Sequence, residues 1–155
     1  MQQIDPAKAA RVWERVKGET PQQPPESGLT ELIAQEWTDS ETYLQLSRRF
    51  RGKDNAVLRK MYDEEQAHTA CLKGIYTLIT GRRPVVRAIP PIPGDVEQVL
   101  RRCYGREMQS LARYEARAAD PEYGQIFARM AQQEREHCRM LLELLGRLNK
   151  RDMGK

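Results

Sequence analysis

The sequence has few of the residues that mark several common protein classes. Its 155 residues include only three cysteines, which form no Cys-x-x-Cys pair. This argues against a cysteine-rich zinc or iron–sulfur centre and is typical of proteins in a reducing compartment. No apolar stretch reaches the roughly 18 residues of a membrane-spanning helix, and the polar N-terminus MQQIDPAK does not resemble a signal peptide. We therefore expect a cytoplasmic protein that does not enter a membrane.

Aromatic residues are also scarce, at 6%, whereas charged residues make up 31% of the chain. Few segments show the alternation of a β-strand, so this composition favours helices. The formal net charge is only +4, and the basic residues are spread along the chain without aromatic residues between them. That pattern is typical of a solvated helical surface rather than of a nucleic-acid-binding surface. We expect no nucleic-acid partner.

The spacing of apolar residues predicts an all-α protein with one bundle domain over residues 28–149. Four long helices are predicted over residues 28–51, 55–80, 95–119 and 121–149. We expect Gly52 to stop the first helix, and Asp120 and Pro121 to cap and open the fourth. Residues 1–27 are predicted to form a short amphipathic helix (6–17) and a proline-rich linker, which could serve as a packing arm or an oligomer contact. Residues 150–155 are predicted to be a tail.

The chain contains only two histidines, and each follows a glutamate by three residues. The two motifs are Glu65-Gln66-Ala67-His68 and Glu134-Arg135-Glu136-His137. Residues three apart on a helix lie on one face, so the side chains of each Glu–His pair can reach the same metal ion. A doubled Glu-x-x-His on two helices is typical of a carboxylate-bridged di-metal site inside a four-helix bundle.

Two further glutamates, Glu36 and Glu107, lie on the apolar stripes of the first and third predicted helices. Burying one ionised carboxylate costs several kcal/mol unless it is paired or bound to a metal. Four carboxylates would match two divalent ions. The candidate metal ligands and catalytic residues are Glu36, Glu65, His68, Glu107, Glu134 and His137.

Several neighbouring residues compete with these ligands or accompany them. Asp39 and Glu41 are the alternatives to Glu36, which the apolar stripe favours. Glu64 and Glu136 adjoin the Glu-x-x-His ligands and are expected to point into solvent. Tyr43 and Tyr114, each seven residues after a candidate glutamate, are expected to hydrogen-bond to ligand carboxylates.

The turns provide an independent test of the ligand pairs, because residues level with each other in a helix hairpin are equidistant from its turn. The midpoint of Glu36 and Glu65 falls at residues 50 and 51, beside Gly52. The midpoint of the second pair falls between Asp120 and Pro121. Residues 81–94, with four prolines, can span about 45 Å when extended. This segment favours a long crossover between two hairpins, as in a ferritin-like bundle.

The order of these motifs resembles the ferritin-like superfamily and, within it, the rubrerythrin di-iron domain. The resemblance covers residues 28–149 and implies two iron ions, although manganese and zinc accept the same ligand types. It implies that Glu65 and Glu134 bridge the metals, that Glu36 and Glu107 are terminal ligands, and that each histidine binds one metal. It also implies a di-iron oxidoreductase of the ferroxidase or peroxidase type, which oxidises Fe(II) or reduces peroxide or O2 and acts in oxidative stress.

The sequence departs from the rubrerythrin pattern in two places. Ser110 stands where rubrerythrins carry a further glutamate, so the ligand set is closer to that of bacterioferritin. The chain also has no rubredoxin domain with paired Cys-x-x-Cys motifs. Electrons would therefore come from Fe(II) or from a separate rubredoxin-like donor. We expect a homodimer, and the alternative is a non-catalytic storage or carrier subunit of a larger ferritin-like assembly.

Overall fold

Four α-helices make up most of the protein in the computed structural model, which describes residues 28–87, 90 and 92–153. The helices are α1 (Leu29–Ser47), α2 (Gly52–Thr80), α3 (Val96–Arg117) and α4 (Gly124–Met153). No β-strand occurs among these residues, which confirms the prediction of an all-α protein with four long helices. The predicted short helix at residues 6–17 lies outside the described residues.

The turn between α1 and α2 differs from the prediction at both of its ends. α1 stops at Ser47, and Gly52 begins α2 with a left-handed φ of 59° instead of stopping α1. The side chain of Asn55 donates a hydrogen bond to the Ser47 carbonyl at 2.5 Å. This bond uses one of the free carbonyl groups that a helix leaves at its C-terminus, and it holds the two helix ends together.

An aspartate precedes the N-terminus of each of the helices α3 and α4 and accepts backbone hydrogen bonds there. Asp95 caps α3 in a capping box with Gln98, and α3 begins at the next residue. Asp120 accepts hydrogen bonds from the backbone N–H groups of Glu122 and Tyr123 at 2.8 and 2.9 Å. These bonds hold a turn, so α4 begins at Gly124, three residues later than predicted, and continues to Met153.

Side-chain contacts establish how the two hairpins meet. Tyr43 of α1 contacts Glu107 of α3, and Tyr114 of α3 contacts Glu36 of α1, so these helices are antiparallel. Contacts between the start of α2 and the end of α4, such as Asp54 with Arg147 at 2.9 Å, show that α2 and α4 are also antiparallel. Since α1 and α2 form a hairpin, α2 and α3 run parallel, and residues 81–95 connect them.

The buried apolar residues form two clusters at opposite ends of the bundle. One contains Leu46, Leu58, Met61, Leu100, Leu141 and Leu144. The other contains Leu29, Ile33, Leu72, Ile75, Phe127 and Met130. On every helix the polar candidate ligands fall between the residues of the two clusters, so the bundle has a polar layer enclosed by apolar residues. Within the described residues, no helix is both long and apolar enough to cross a membrane.

Candidate metal centre

The structure brings all six candidate ligands together in this polar layer. Each of the six is buried, and none has more than 3% of its surface exposed. Their potential ligand atoms fall into two groups of four, and within each group all atoms lie within 4.8 Å of one another. One group has Glu36 and His68, the other has Glu107 and His137, and Glu65 and Glu134 belong to both.

Both imidazole rings point their Nδ1 atoms at the carboxylates. His68 Nδ1 lies 3.0 Å from Glu134 Oε1 and 3.4 Å from Glu36 Oε2. His137 Nδ1 lies 2.7 Å from Glu65 Oε1 and 3.5 Å from Glu107 Oε2. His68 Nδ1 therefore contacts Glu36 and both shared glutamates, whereas His137 Nδ1 contacts Glu107 and only one shared glutamate, Glu65.

The atoms that face the centre of this layer make no hydrogen bond of acceptable geometry, although His137 Nδ1 lies only 2.7 Å from Glu65 Oε1. Apart from Arg147 Nε, every buried side-chain nitrogen or oxygen without such a hydrogen bond in the described residues belongs to the six candidate ligands. They are Glu36 Oε2, both oxygens of Glu65, His68 Nδ1, Glu107 Oε2, both oxygens of Glu134 and His137 Nδ1. Each such atom normally costs about 1–3 kcal/mol. Carboxylate oxygens and imidazole nitrogens are ligands for divalent iron, manganese and zinc, so this donor set fits two metal ions.

Two tyrosines hold the terminal glutamates across the hairpins. The Tyr114 hydroxyl donates a hydrogen bond to Glu36 Oε1 at 2.8 Å, and the Tyr43 hydroxyl donates to Glu107 Oε1. Both tyrosines are fully buried, and the expectation that they hydrogen-bond to ligand carboxylates is confirmed. Each terminal glutamate is thereby fixed through one oxygen, while its other oxygen faces the centre.

The outer nitrogens of the histidines also have partners. His68 Nε2 lies 2.7 Å from Gln133 Oε1, and His137 Nε2 lies 2.7 Å from Glu64 Oε2. The expectation that Glu64 points into solvent is therefore wrong, because Glu64 lies on the side of α2 that faces α4. Glu136 behaves as expected, since its side chain is 47% exposed and pairs with Arg139.

Sequence reasoning did not identify Gln133, although the internal repeat contained a signal for it. Glu64 directly precedes the shared glutamate of α2, and Gln133 directly precedes the shared glutamate of α4. Equivalent positions in two similar hairpins have equivalent surroundings. The two residues could therefore have been paired as outer contacts of the histidines.

A second set of contacts surrounds the terminal glutamates between α1 and α3. Ser110 donates a hydrogen bond to Glu36 Oε1 at 3.1 Å and accepts one from Gln35 at 2.7 Å. At the equivalent place in the other half, Asp39 is buried and pairs with Arg106 at 2.5 Å. Asp39 is not in either group of ligand atoms, whereas Glu36 is. The apolar stripe of α1 therefore favoured the residue that faces the centre.

Burial and mutual proximity separate the pKa values of the four carboxylates. Burial raises the pKa of Glu65 and Glu134 well above the ordinary value, and the surrounding carboxylates raise it further. Burial alone would also raise the pKa of Glu36, but contacts with Glu65 and His68 outweigh it and lower that pKa to about 2. The pKa of Glu107 is lowered in the same way, against the effect of burial, by Glu134 and His137.

The pKa values of the two histidines are raised, although burial alone would lower them. Burial would lower the pKa of His68, but its contacts with Glu134, Glu36 and Glu65 raise that pKa far above the ordinary value. The pKa of His137 is likewise raised, chiefly by Glu107 and Glu64. Folding of the metal-free protein therefore favours the ionised form of Glu36 and Glu107, and it favours the protonated forms of the histidines and of Glu65 and Glu134.

Comparisons with known proteins provide no family assignment for this chain. A scan against models of protein families finds no match, and a search of curated proteins finds no relative.

Proposed function

We propose that this protein is a non-haem di-iron carboxylate oxidoreductase, similar to rubrerythrin, built on a ferritin-like bundle. The observation that carries the proposal is the pair of buried four-ligand groups, which share Glu65 and Glu134 and face inward with unpartnered atoms. Four carboxylates would compensate two divalent ions, and Glu65 and Glu134, which belong to both groups, would help to hold both ions. The parallel course of α2 and α3, joined by residues 81–95, supports the ferritin-like assignment.

The chain's own residues would bind and orient the metals. The terminal glutamates, Glu36 and Glu107, and the histidines each offer one inward atom, while Tyr43 and Tyr114 keep the terminal carboxylates in place. The apolar clusters above and below exclude bulk water and strengthen these electrostatic interactions. When bound, two iron ions would supply two-electron oxidation and reduction with O2 or peroxide.

Reduction of peroxide or O2 at the proposed site requires a source of electrons. The chain contains no Cys-x-x-Cys motif that could hold a rubredoxin-type iron. We infer that the electrons come from Fe(II) itself or from a separate, rubredoxin-like protein. Steady turnover of peroxide with such a donor, and none with the donor alone, would support the peroxidase form of the reaction.

One observation favours a second candidate function, an iron storage or carrier subunit. Ser110 leaves each metal position with one terminal glutamate and one histidine, and this symmetric set resembles that of bacterioferritin. The mass of the assembly distinguishes the two functions. A shell of 12 or 24 chains with a mineral core would indicate storage, whereas a dimer without a core would indicate an enzyme.

Anaerobic titration with Fe(II) tests the di-metal site directly. We expect saturation at two equivalents per chain, followed by oxidation of both ions on addition of O2 or peroxide. Glu65→Gln should impair both metal positions because Glu65 belongs to both ligand groups. Glu136→Gln is the matched control, since its carboxylate is exposed on the neighbouring helix face. Saturation of the unmodified protein at one equivalent or fewer would contradict the proposal.

A further inference from the structure

The two halves of the centre match residue by residue, but they differ in charge. Each half has a terminal glutamate, a tyrosine bound to it, a shared glutamate and a histidine. The differences lie in the contacts outside the ligands. The outer nitrogen of His137 contacts the carboxylate of Glu64, whereas that of His68 contacts the neutral amide of Gln133, both at 2.7 Å.

The outer contact of a histidine affects how strongly the other nitrogen binds a metal. A carboxylate that accepts the Nε2–H hydrogen bond fixes the tautomer with the Nδ1 lone pair directed inward, and it makes Nδ1 a stronger electron donor. An amide oxygen fixes the same tautomer without a negative charge. Lys60 lies 3.6 Å from Glu64, but it is 60% exposed and therefore offsets little of that charge.

The two terminal glutamates, Glu36 and Glu107, also differ in the number of hydrogen bonds that they accept. Glu36 Oε1 accepts hydrogen bonds from both Tyr114 and Ser110. Within the described part of the chain, Glu107 Oε1 accepts one from Tyr43 alone. A carboxylate that accepts two hydrogen bonds has less negative charge available for a metal ion. Both differences therefore predict weaker metal binding at the position beside Glu36 and His68 than at the position beside Glu107 and His137.

We propose that the two metal positions are inequivalent, with Glu64 as the positioning residue that makes the one beside Glu107 and His137 bind the first divalent ion. This inference rests on the proposed di-metal site. It predicts stepwise loading, with the first site tighter by about 10- to 100-fold, the usual effect of an outer hydrogen-bond partner on metal affinity. A protein at one equivalent of metal would then be loaded at one defined position.

Titration with Zn(II), a redox-inactive probe, tests the order of loading. Calorimetry gives the stepwise affinities, and NMR of protein with isotope-labelled histidine reports which ring binds first. The chain has only two histidines, so His68→Gln assigns both sets of signals. In the unmodified protein we expect the His137 signals to change during the first equivalent and the His68 signals during the second.

Exchanging the outer partners provides the decisive comparison. Glu64→Gln gives both histidines an amide partner and should bring the two affinities closer together, leaving only the smaller difference that the Ser110 hydrogen bond to Glu36 makes. The double variant Glu64→Gln/Gln133→Glu moves the carboxylate to His68 and should reverse the order of loading. Glu136→Gln, which alters an exposed carboxylate on α4, the helix of Gln133 and His137, should leave the order unchanged.

The outcomes separate this inference from the proposed function. Two zinc ions that bind while both histidine signals change together would overturn the inequivalence and leave the di-metal site intact. An order of loading that is the same in the double variant would also overturn it. Binding of one zinc ion, or of none, by the unmodified protein would overturn the proposed di-metal function and this inference with it.

Discussion

At the scale of single residues, each candidate ligand with a second contact uses one atom for that contact and another to face the centre. Each terminal glutamate uses one oxygen for a tyrosine and leaves the other facing inward. Each histidine uses Nε2 for an outer partner and leaves Nδ1 facing inward. Every candidate ligand except the two shared glutamates is fixed by such a second contact, so the inward atoms of the other four are already oriented in the metal-free protein.

The hydrogen bond from Tyr114 to Glu36 should have a measurable effect on stability. Tyr114→Phe removes a buried donor from an ionised carboxylate, so we expect the metal-free protein to lose about 1–3 kcal/mol in free energy of unfolding. Tyr76→Phe is a suitable control, since Tyr76 is half-buried and its hydroxyl makes no hydrogen bond within the described residues. Urea denaturation of both variants measures the difference, and equal losses would show that the Glu36 contact contributes nothing.

Introducing a carboxylate at position 110 should act on the Glu36 side of the centre. Ser110 lies on the same helix as Glu107 but donates its hydrogen bond to Glu36. Ser110→Glu therefore adds a negative charge beside Glu36 and His68, and we expect tighter metal binding at that position. Zinc titration with the histidine signals as the readout measures the change. Ser110→Gln controls for size, and a similar gain in that variant would exclude the charge as the cause.

At the scale of helices, the apolar periodicity was enough to predict the four elements and the ligand face of each. Residues such as Leu58, Met61 and Leu72 recur at helical spacing because one side of α2 is buried along its whole length. The helix ends were less predictable, because Gly52 opens α2 in a turn closed by Asn55, a contact with no periodic signal. Glu64 was misassigned for a related reason, since its surroundings depend on how closely α4 approaches α2.

The start of α3 depends on its cap, and this can be tested alone. Asp95 accepts a hydrogen bond from the Gln98 backbone N–H at 2.9 Å, and the Gln98 side chain accepts one from the Asp95 backbone N–H. Asp95→Ala should lower the free energy of unfolding by about 1 kcal/mol. Asp95→Asn, which retains a capping oxygen, should lose much less. A loss in the asparagine variant as large as in the alanine variant would show that the charge matters rather than the cap.

At the scale of the whole molecule, the bundle encloses four carboxylates and two imidazoles in one buried layer. In the metal-free protein, folding raises the pKa of the two histidines and of the two shared glutamates, so these four groups are the ones that hold protons beside the buried carboxylates. Two divalent ions bring the same positive charge as four protons. Metal binding should therefore release protons, up to about four per pair of ions, because the ligands must be deprotonated to coordinate. Titration in a weakly buffered solution with a pH indicator measures this release, and uptake of metal without release would contradict the charge balance.

The same charges determine how the stability of the metal-free protein depends on pH. The pKa values of Glu65, Glu134, His68 and His137 are raised by folding, so between the unfolded and folded values the native state holds more protons. The free energy of unfolding then falls as pH rises, from about 4.5 for the glutamates and about 6.5 for the histidines. The pKa of Glu36 is lowered to about 2, so its contribution is lost as pH falls below about 4.5. Metal-free protein should therefore be most stable at mildly acidic pH and weaken towards pH 9.

Binding of two divalent ions should remove the alkaline loss of stability. The ions replace the protons as the positive charges of the centre, so the loaded protein has none of those protons to lose as pH rises. Thermal melting of the metal-free and zinc-loaded protein at pH 6 and pH 9 compares the two states, and we expect the gap in Tm to widen at pH 9. Glu136→Gln should show the same widening, since its carboxylate lies outside the layer. A gap that stays constant, or closes at pH 9, would mean that the buried carboxylates and histidines are not the groups the metals bind.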